Sequence, residues 1–325
     1  MHKETKSAVL VTGGLGFIGR HLVSELSKSQ NYDKILIIDR PKRNFQSFAK
    51  HPNVIITIHY EDIRNTEAIS DILKCEGRNI QSCIHLAGQT EVAASSFGNS
   101  DNTFDVNISG TQSVLETCIK NNIKRFIFAS SAATYGEAQR IPIDEDQELK
   151  PISPYGKSKV EAEKLVMTYV DSGKISCGIS LRIFNVYGLA QNPEHAGVIA
   201  NFAKRITKGM PPIIYGDGMQ TRDFISVNDV VRAIMLALDA NVCKGAFNVG
   251  TGKSITMRDL ATKMIGMAKL NNNNNIQPLY VQKPLSNVGE DIRNSCADTK
   301  KAKDILKFTA REELDLALAA MIGRY

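Results

Sequence analysis

The run Thr12-Gly13-Gly14-Leu15-Gly16-Phe17-Ile18-Gly19 constrains this chain more than any other stretch. It follows a short β-rich segment, Ser7-Ala8-Val9-Leu10-Val11, and leads into residues 20–27, where Leu22, Val23 and Leu26 recur at helical spacing. Strand, glycine turn and helix in that order predict the opening of a dinucleotide-binding unit. Gly13, Gly16 and Gly19 would permit a tight turn, close approach of backbone to a pyrophosphate, and close helix packing, with the phosphate charge on the helix N-terminus. A second strand, Lys34-Ile35-Leu36-Ile37-Ile38-Asp39, ends in an acid about 20 residues past the glycines, where a carboxylate can bind a ribose 2′-hydroxyl. Asp39 favours NAD, because a carboxylate there would repel a 2′-phosphate. Arg40, Lys42 and Arg43 follow closely and leave room for NADP.

The alternation continues. Residues 54–58 read as a strand, 66–73 as a helix, 82–86 as a strand, 102–121 as a long helix containing Asn107, and 125–129 as a buried strand leading to Ser130-Ser131-Ala132-Ala133. A sixth strand spans 175–184. Strands alternating with helices predict an α/β fold, a doubly wound parallel sheet of the Rossmann kind with a smaller C-terminal substrate lobe. We expect residues 1–184, with 226–252 returning to them, to form the NAD-binding domain, and 185–325 to form mainly the substrate lobe. Two loops at strand ends should face the cofactor. In Glu61-Asp62-Ile63-Arg64, Asp62 could accept from an adenine amino group. In Leu86-Ala87-Gly88-Gln89, small side chains let the dinucleotide lie against backbone. His59 and His85, in or beside strands, read as structural, hydrogen-bonded histidines.

A length of 325 residues with 42% hydrophobic content suits a globular enzyme with a substantial core. No run approaches the roughly 20 apolar residues needed to span a bilayer, and the polar start is unlike a signal sequence, so a cytoplasmic location is expected. The six cysteines show neither CxxC pairs nor metal-ligand spacing, which predicts free thiols and no metal site. The net charge of +6 is spread along the chain; it suits an anionic small substrate and argues little for nucleic-acid binding.

Tyr155 and Lys159 stand four apart, just after Pro154, a residue suited to the first turn of a helix. That spacing stacks both side chains on one helix face, and a cation near a phenol favours the phenolate, so the pair could serve as a tuned general base. Taken alone, the spacing fits an ordinary amphipathic helix as well. Ser131 changes this: it should lie at the C-terminal end of a central strand on the cofactor side, where its hydroxyl can share a substrate proton. Ser131, Tyr155 and Lys159 beside a nicotinamide suit hydride removal from a carbinol.

These motifs, TGGLGFIG from Thr12, Asp62-Ile63, HLAGQT from His85, Asn107, ASSAATYG from Ala129, SPYGKSK from Ser153 and LRIFNVYG from Leu181, resemble those of the extended short-chain dehydrogenases/reductases. The closest likeness is to the sugar-nucleotide branch typified by UDP-glucose 4-epimerases, and it runs nearly end to end. The resemblance implies catalysis by Ser131, Tyr155 and Lys159, with NAD held by Gly13, Gly16, Phe17, Ile18, Gly19, Asp39, Asp62, Ile63, Leu86, Ala87, Gly88, Asn107, Ser130, Tyr155, Lys159 and Phe184. It implies a nucleotide-sugar held by Ser131, Asn185, Val198, Arg222, Asp291 and Ser295, with Arg222 on the diphosphate, and a homodimer formed through the long helix and the one beginning at Tyr155.

The chain departs from that pattern in one place. The family carries a second diphosphate Arg three residues before the acid matching Asp291, and here that position is Val288; if the acid is Glu290, it is Asn287. Lys283 or Arg293 could compensate. The position that limits sugar size falls on Ser295, small enough to admit an N-acetyl group. The function implied is NAD-dependent 4-epimerisation of a UDP-hexose. The nearest rivals are an epimerase or decarboxylase of UDP-glucuronate and a nucleotide-sugar 4,6-dehydratase, the latter disfavoured because Ala132-Ala133 stands where relatives place Asp-Glu. A non-catalytic NAD-binding or RNA-binding protein is the reading from another class.

Overall fold

The structure, a computed structural model, describes residues 7–29, 31–41, 45, 47–76, 79–90, 103–189, 197–269, 276–282 and 292–323. Asp291, Lys283 and the positions weighed as the missing Arg lie outside the described residues, as do Lys42 and Arg43. The main sheet contains β1 (Ser7–Thr12), β2 (Tyr32–Asp39), β3 (Ile55–Tyr60), β4 (Ile80–His85), β5 (Arg125–Ser131) and β6 (Cys177–Ile183). Three short strands follow in the chain, β7 (Asn185–Tyr187), β8 (Ile213–Tyr215) and β9 (Thr221–Ser226), before β10 (Lys244–Val249) rejoins the main sheet. The order is β10-β6-β5-β4-β1-β2-β3, and every pairing is parallel.

Parallel strands need crossovers, and helices supply them on both faces. Side chains on β1 alternate accordingly. Val9 and Val11, with Ile35 and Ile37, pack on α1 (Phe17–Lys28) through Leu22, Val23 and Leu26. Ala8 and Leu10, with Leu36 and Ile38, face α2 (Thr66–Glu76), α3 (Gly110–Lys120) and α4 (Pro154–Asp171) through Ile69, Leu73, Val114, Leu115, Ala162 and Val166. Each Val, Leu or Ile among them, fully buried, contributes roughly 1.5–3 kcal/mol of transfer free energy. The strand order reverses at β1, which has β2 on one side and β4 on the other, so a crevice opens beyond the C-terminal ends of these strands.

The long helix expected over 102–121 is interrupted. Asp105–Ser109 is wound as a π-helix and only then continues as α3. The extra residue per turn sits at Asn107, where the site is built.

After β6 the chain builds a second cluster from Tyr187, Ile214, Phe224, and the inner faces of α5 (Val198–Thr207), α7 (Met257–Lys269) and α9 (Leu314–Ile322). Strand β9 pairs with β7 on one side and β11 (Ser254–Thr256) on the other in one small sheet, and β8 pairs with β12 (Leu279–Val281) in another. Helix α6 (Val227–Asp239) and β10 return to the main sheet. So does α8 (Lys300–Leu306), which the sequence reading left with the substrate lobe. Its Ala302 and Leu306, one turn apart, and the following Phe308 are buried in the main core. Asp223 on β9 ties the two regions together. This buried carboxylate accepts from Thr251 N at 2.9 Å, Thr251 Oγ1 at 2.6 Å, Gly252 N at 2.9 Å and Ala297 N at 3.1 Å.

Among the described residues, no helix is long and apolar enough to cross a membrane, and no group of His, Cys, Asp and Glu could hold a metal ion.

Candidate active site

The crevice is an open groove of about 540 Å³ lined by Gly13, Gly16, Asp39, Arg40, Glu61, Asp62, Ile63, Leu86, Ala87, Gly88 and Val106. Gly13 sits at φ +74°, and a Cβ there would lie 2.6 Å from Ala87 N, so only glycine lets the turn run against the 86–88 loop. Gly16 is the N-cap of α1 and offers no side-chain cap, which leaves the first N–H groups of the helix available to an anion. Asp39 closes the groove at the end of β2. Its Oδ2 accepts from Leu15 N at 2.8 Å and its Oδ1 from Arg40 N at 2.7 Å, so the carboxylate also pins the glycine turn. The residues present fit a dinucleotide: a bare helix N-terminus for the diphosphate, a fixed carboxylate for a ribose, and small residues beneath.

Arg64 grips Asp62 through Nε at 2.9 Å and a terminal nitrogen at 2.7 Å and also pairs with Asp105. The guanidinium holds the Asp62 carboxyl below the usual carboxylate range. Ile63 is buried beneath the groove floor, whereas Phe17 and Ile18 are partly exposed at the start of α1.

Asn107 does not line the groove. Its Oδ1 accepts from Gln89 N at 2.8 Å, and its Nδ2 donates to Gln89 O and to Ser158 Oγ, each at 2.9 Å. The amide therefore clips the 86–89 loop to α4. His85 is structural, as expected: its Nδ1 pairs with Thr12 Oγ1 at 2.6 Å and its Nε2 with Thr111 Oγ1 at 3.0 Å. Burial, with a smaller contribution from the charge on Lys159, pushes this imidazole down to about 3, so it is neutral at physiological pH. His59 pairs instead with Glu76, at 2.8 Å.

Ser153 caps α4, accepting from Gly156 N at 3.0 Å, and Pro154 opens it. A Cβ on Gly156 would strike the Ala133 carbonyl at 2.5 Å, so this glycine lets the helix close onto the end of β5. Tyr155 and Ser131 thereby meet. Burial pushes the Tyr155 phenol above its usual value, and a hydrogen bond with Ser131 pulls it back. Lys159 donates to the Ala129 carbonyl at 2.8 Å, and its Nζ lies 4.8 Å from the centre of the Phe128 ring and 5.8 Å from that of Tyr155. Its ammonium lies over the ring, and burial leaves the Tyr155 phenol raised in this structure, where the spacing suggested a lowering by Lys159. Burial likewise pulls Lys159 down, to about 8.

On the substrate side, Asn185 is exposed at the start of β7, and Val198 opens α5. Phe184 is buried with Tyr135, Ile143 and Ala297. Arg222 on β9 donates from one terminal nitrogen to the carbonyls of Thr221 and Ile292, each at 2.7 Å, which draws the 292–295 segment to the strand. Ser295 is buried there, its N–H 3.3 Å from Thr221 Oγ1. Arg293, considered as a substitute for the missing Arg, forks onto Asp217 with two 2.8 Å contacts.

Residues 9–250 match the model of the NAD dependent epimerase/dehydratase family. The chain belongs to that family. It is 39% identical over 258 residues, 78% of this chain and 79% of the relative, to a Methanocaldococcus jannaschii protein whose name gives UDP-glucose 4-epimerase provisionally. Among solved structures, it resembles UDP-N-acetylglucosamine 4-epimerase from Methanobrevibacter ruminantium M1, in complex with UDP-N-acetylmuramic acid (TM-score 0.85, 30% identity, 98% of both chains). It also resembles MoeE5 in complex with UDP-glucuronic acid and NAD (TM-score 0.82, 32% identity, 98% of both chains). NAD is the cofactor of this epimerase/dehydratase.

The sequence reading missed a buried polar cluster behind Lys159. Ser130, expected to face the cofactor, spends its hydroxyl on Glu163 of α4, which Arg182 of β6 also grips. The one available signal was Arg182 itself, a charge inside the apolar strand Ile179-Ser180-Leu181-Arg182-Ile183. Buried arginine needs a partner.

Proposed function

We propose that this chain is an NAD-dependent 4-epimerase of a UDP-hexose, the N-acetylated sugars included, acting through a transient 4-keto sugar. The observation that carries the proposal is the convergence of Ser131, Tyr155 and Lys159 at the C-terminal end of β5, beside the dinucleotide groove. When bound, NAD supplies a hydride acceptor for the carbinol carbon and a donor for the return. Tyr155 removes the proton from the sugar 4-hydroxyl and restores it on the reverse step, with Ser131 holding that oxygen. A phenol raised by burial is a strong base once ionised, and the positive charge of Lys159 beneath the ring favours that ionised form when the substrate excludes water. Inversion requires the planar keto carbon to present its other face before hydride returns to it, while the proton goes back to the 4-oxygen. Arg222 and the N-terminal end of α5 would hold the nucleotide diphosphate while the sugar turns.

The proposal extends to the division into an NAD-binding domain and a substrate lobe, to a cytoplasmic location, which six free cysteines support, and to a homodimer. The dimer would use α3 and α4, where Ile119, Leu165, Met167 and Tyr169 remain partly exposed. A UDP-uronic acid is the second reading, favoured by the likeness to MoeE5 with UDP-glucuronic acid. The 4,6-dehydratase is disfavoured because Ala132 and Ala133 follow Ser131 in a 3-10 turn and bring no acid to the site. Incubation with UDP-glucose, UDP-N-acetylglucosamine and UDP-glucuronate, with products identified by NMR, tests the choice. We expect the C4 epimers of the first two. Conversion of UDP-glucuronate alone would overturn the assignment.

A further inference from the structure

Lys159 shares its helix face with Glu163, one turn further on. Glu163 is 5% exposed, deep for a carboxylate. Arg182 donates to it through Nε at 3.1 and 3.2 Å and through a terminal nitrogen at 2.9 Å, and Ser130 Oγ donates to its Oε1. The other terminal nitrogen of Arg182 donates to the Tyr135 hydroxyl at 3.0 Å and to the Glu145 carbonyl at 3.1 Å. Tyr135 in turn donates to Asn248 Oδ1 at 2.7 Å. Burying such a pair is costly, and apolar residues of the same volume would fill the space without that cost. Its location offers a reason for keeping it: the carboxylate joins the helix that carries Tyr155 and Lys159 to the strand end that carries Ser131.

We propose that Glu163 is a positioning residue for the reaction: its carboxylate keeps Lys159 charged and, through Ser130, fixes the end of β5, without touching the substrate. This rests on the reading of Tyr155 and Lys159 as the reacting pair. The surroundings of Lys159 give the argument its force. Its own helix presents Tyr155 and Glu163, β5 presents the Ala129 carbonyl and the Phe128 ring, β4 presents neutral His85, and Asn107, bonded to Ser158 beside it, brings an uncharged amide near the 88–89 loop. Among the described residues, Glu163 is the anion that acts on it, and β6 presents Arg182, the cation paired with that anion. Burial drives Lys159 towards the neutral amine, and Glu163 opposes that drive. The sign follows. With the carboxylate gone, Lys159 loses its proton at a lower pH, and activity that depends on the cation fails at a lower pH too.

The test compares wild type with Glu163→Gln and with Glu163→Gln/Arg182→Met, in which an apolar side chain replaces the guanidinium left without its partner. Lysine labelled with ¹³C at Cε is titrated by NMR, with Lys159 identified by the signal lost in Lys159→Met, and kcat/KM is followed against pH. We expect the Lys159 midpoint to fall by about one pH unit in Glu163→Gln and by less in the double variant, where the opposing charge of the guanidinium is removed together with the carboxylate. The alkaline limb of kcat/KM should move with it, so that activity drops about tenfold near pH 8.5 and little near pH 6.5. A midpoint at the wild-type position in a folded variant, or a loss of activity uniform across pH, would overturn the role and leave Glu163 a structural residue. A shifted midpoint in a protein that turns over no UDP-sugar would uphold the effect on Lys159 and sink the reaction assigned to it.

Discussion

Tyr155→Phe lowers kcat by about a thousandfold, within the range of a lost general acid–base group, while NAD still binds. The substitution removes one oxygen. Tyr155 stands on the second residue of a capped helix whose position is set by Ser153, Pro154 and the contact of Gly156 with Ala133. None of these involves the phenol, so the fold and the groove remain. What disappears is the group that exchanges a proton with the sugar oxygen. Fluorescence titration with NAD and steady-state rates on the same preparation separate the two effects. Near-normal turnover in this variant would contradict the mechanism.

Gly13→Ala strikes the other half of the site. The new Cβ would sit 2.6 Å from Ala87 N and 2.8 Å from the Leu86 carbonyl carbon, both of them backbone, at a φ of +74° that L-residues adopt at a cost of about 1–2 kcal/mol. Nothing flexible can yield, so the turn and the 86–88 loop must part. We expect a stability loss of roughly 2–4 kcal/mol by urea unfolding. The affinity for NAD should weaken by about tenfold or more, since each 1.4 kcal/mol of distorted contact is a factor of ten. The two variants therefore divide: Tyr155→Phe spares NAD binding and loses chemistry, whereas Gly13→Ala loses NAD binding first.

The parts of this molecule that could be read from its sequence are those whose causes are local. The glycine turn and Asp39 lie on consecutive elements of one unit, and the spacing that suggested their roles is the spacing that brings the Asp39 carboxylate to Leu15 N at 2.8 Å. The helix opening at Pro154 was legible for the same reason. The proton affinity of Tyr155 was not. Spacing placed Lys159 near it, but the direction of the shift comes from burial by distant parts of the chain and from where the ammonium finds its acceptor, the Ala129 carbonyl. Asn107 was read as a cofactor contact, and it clips Gln89 to Ser158, an arrangement that depends on a π-turn with no signature in the residue pattern. Glu163 reads in sequence as one more solvated charge on an amphipathic helix, and only the approach of β6 reveals Arg182 as its partner. Helix α8 lies in the part of the chain expected to form mainly the substrate lobe, yet it packs on the main core, because a short segment with two apolar residues on one face does not say which core will take them.

The central claim is that C4 of a UDP-hexose gives up its hydrogen as hydride and regains it on the other face within one active site. The direct measurement is to incubate the enzyme, in ordinary water, with UDP-glucose or UDP-N-acetylglucosamine carrying deuterium at C4, and to analyse the product by NMR and mass spectrometry. The account predicts the C4 epimer with the deuterium still at C4. Epimer whose label has been exchanged for solvent hydrogen would contradict it, because the hydrogen would then have left as a proton.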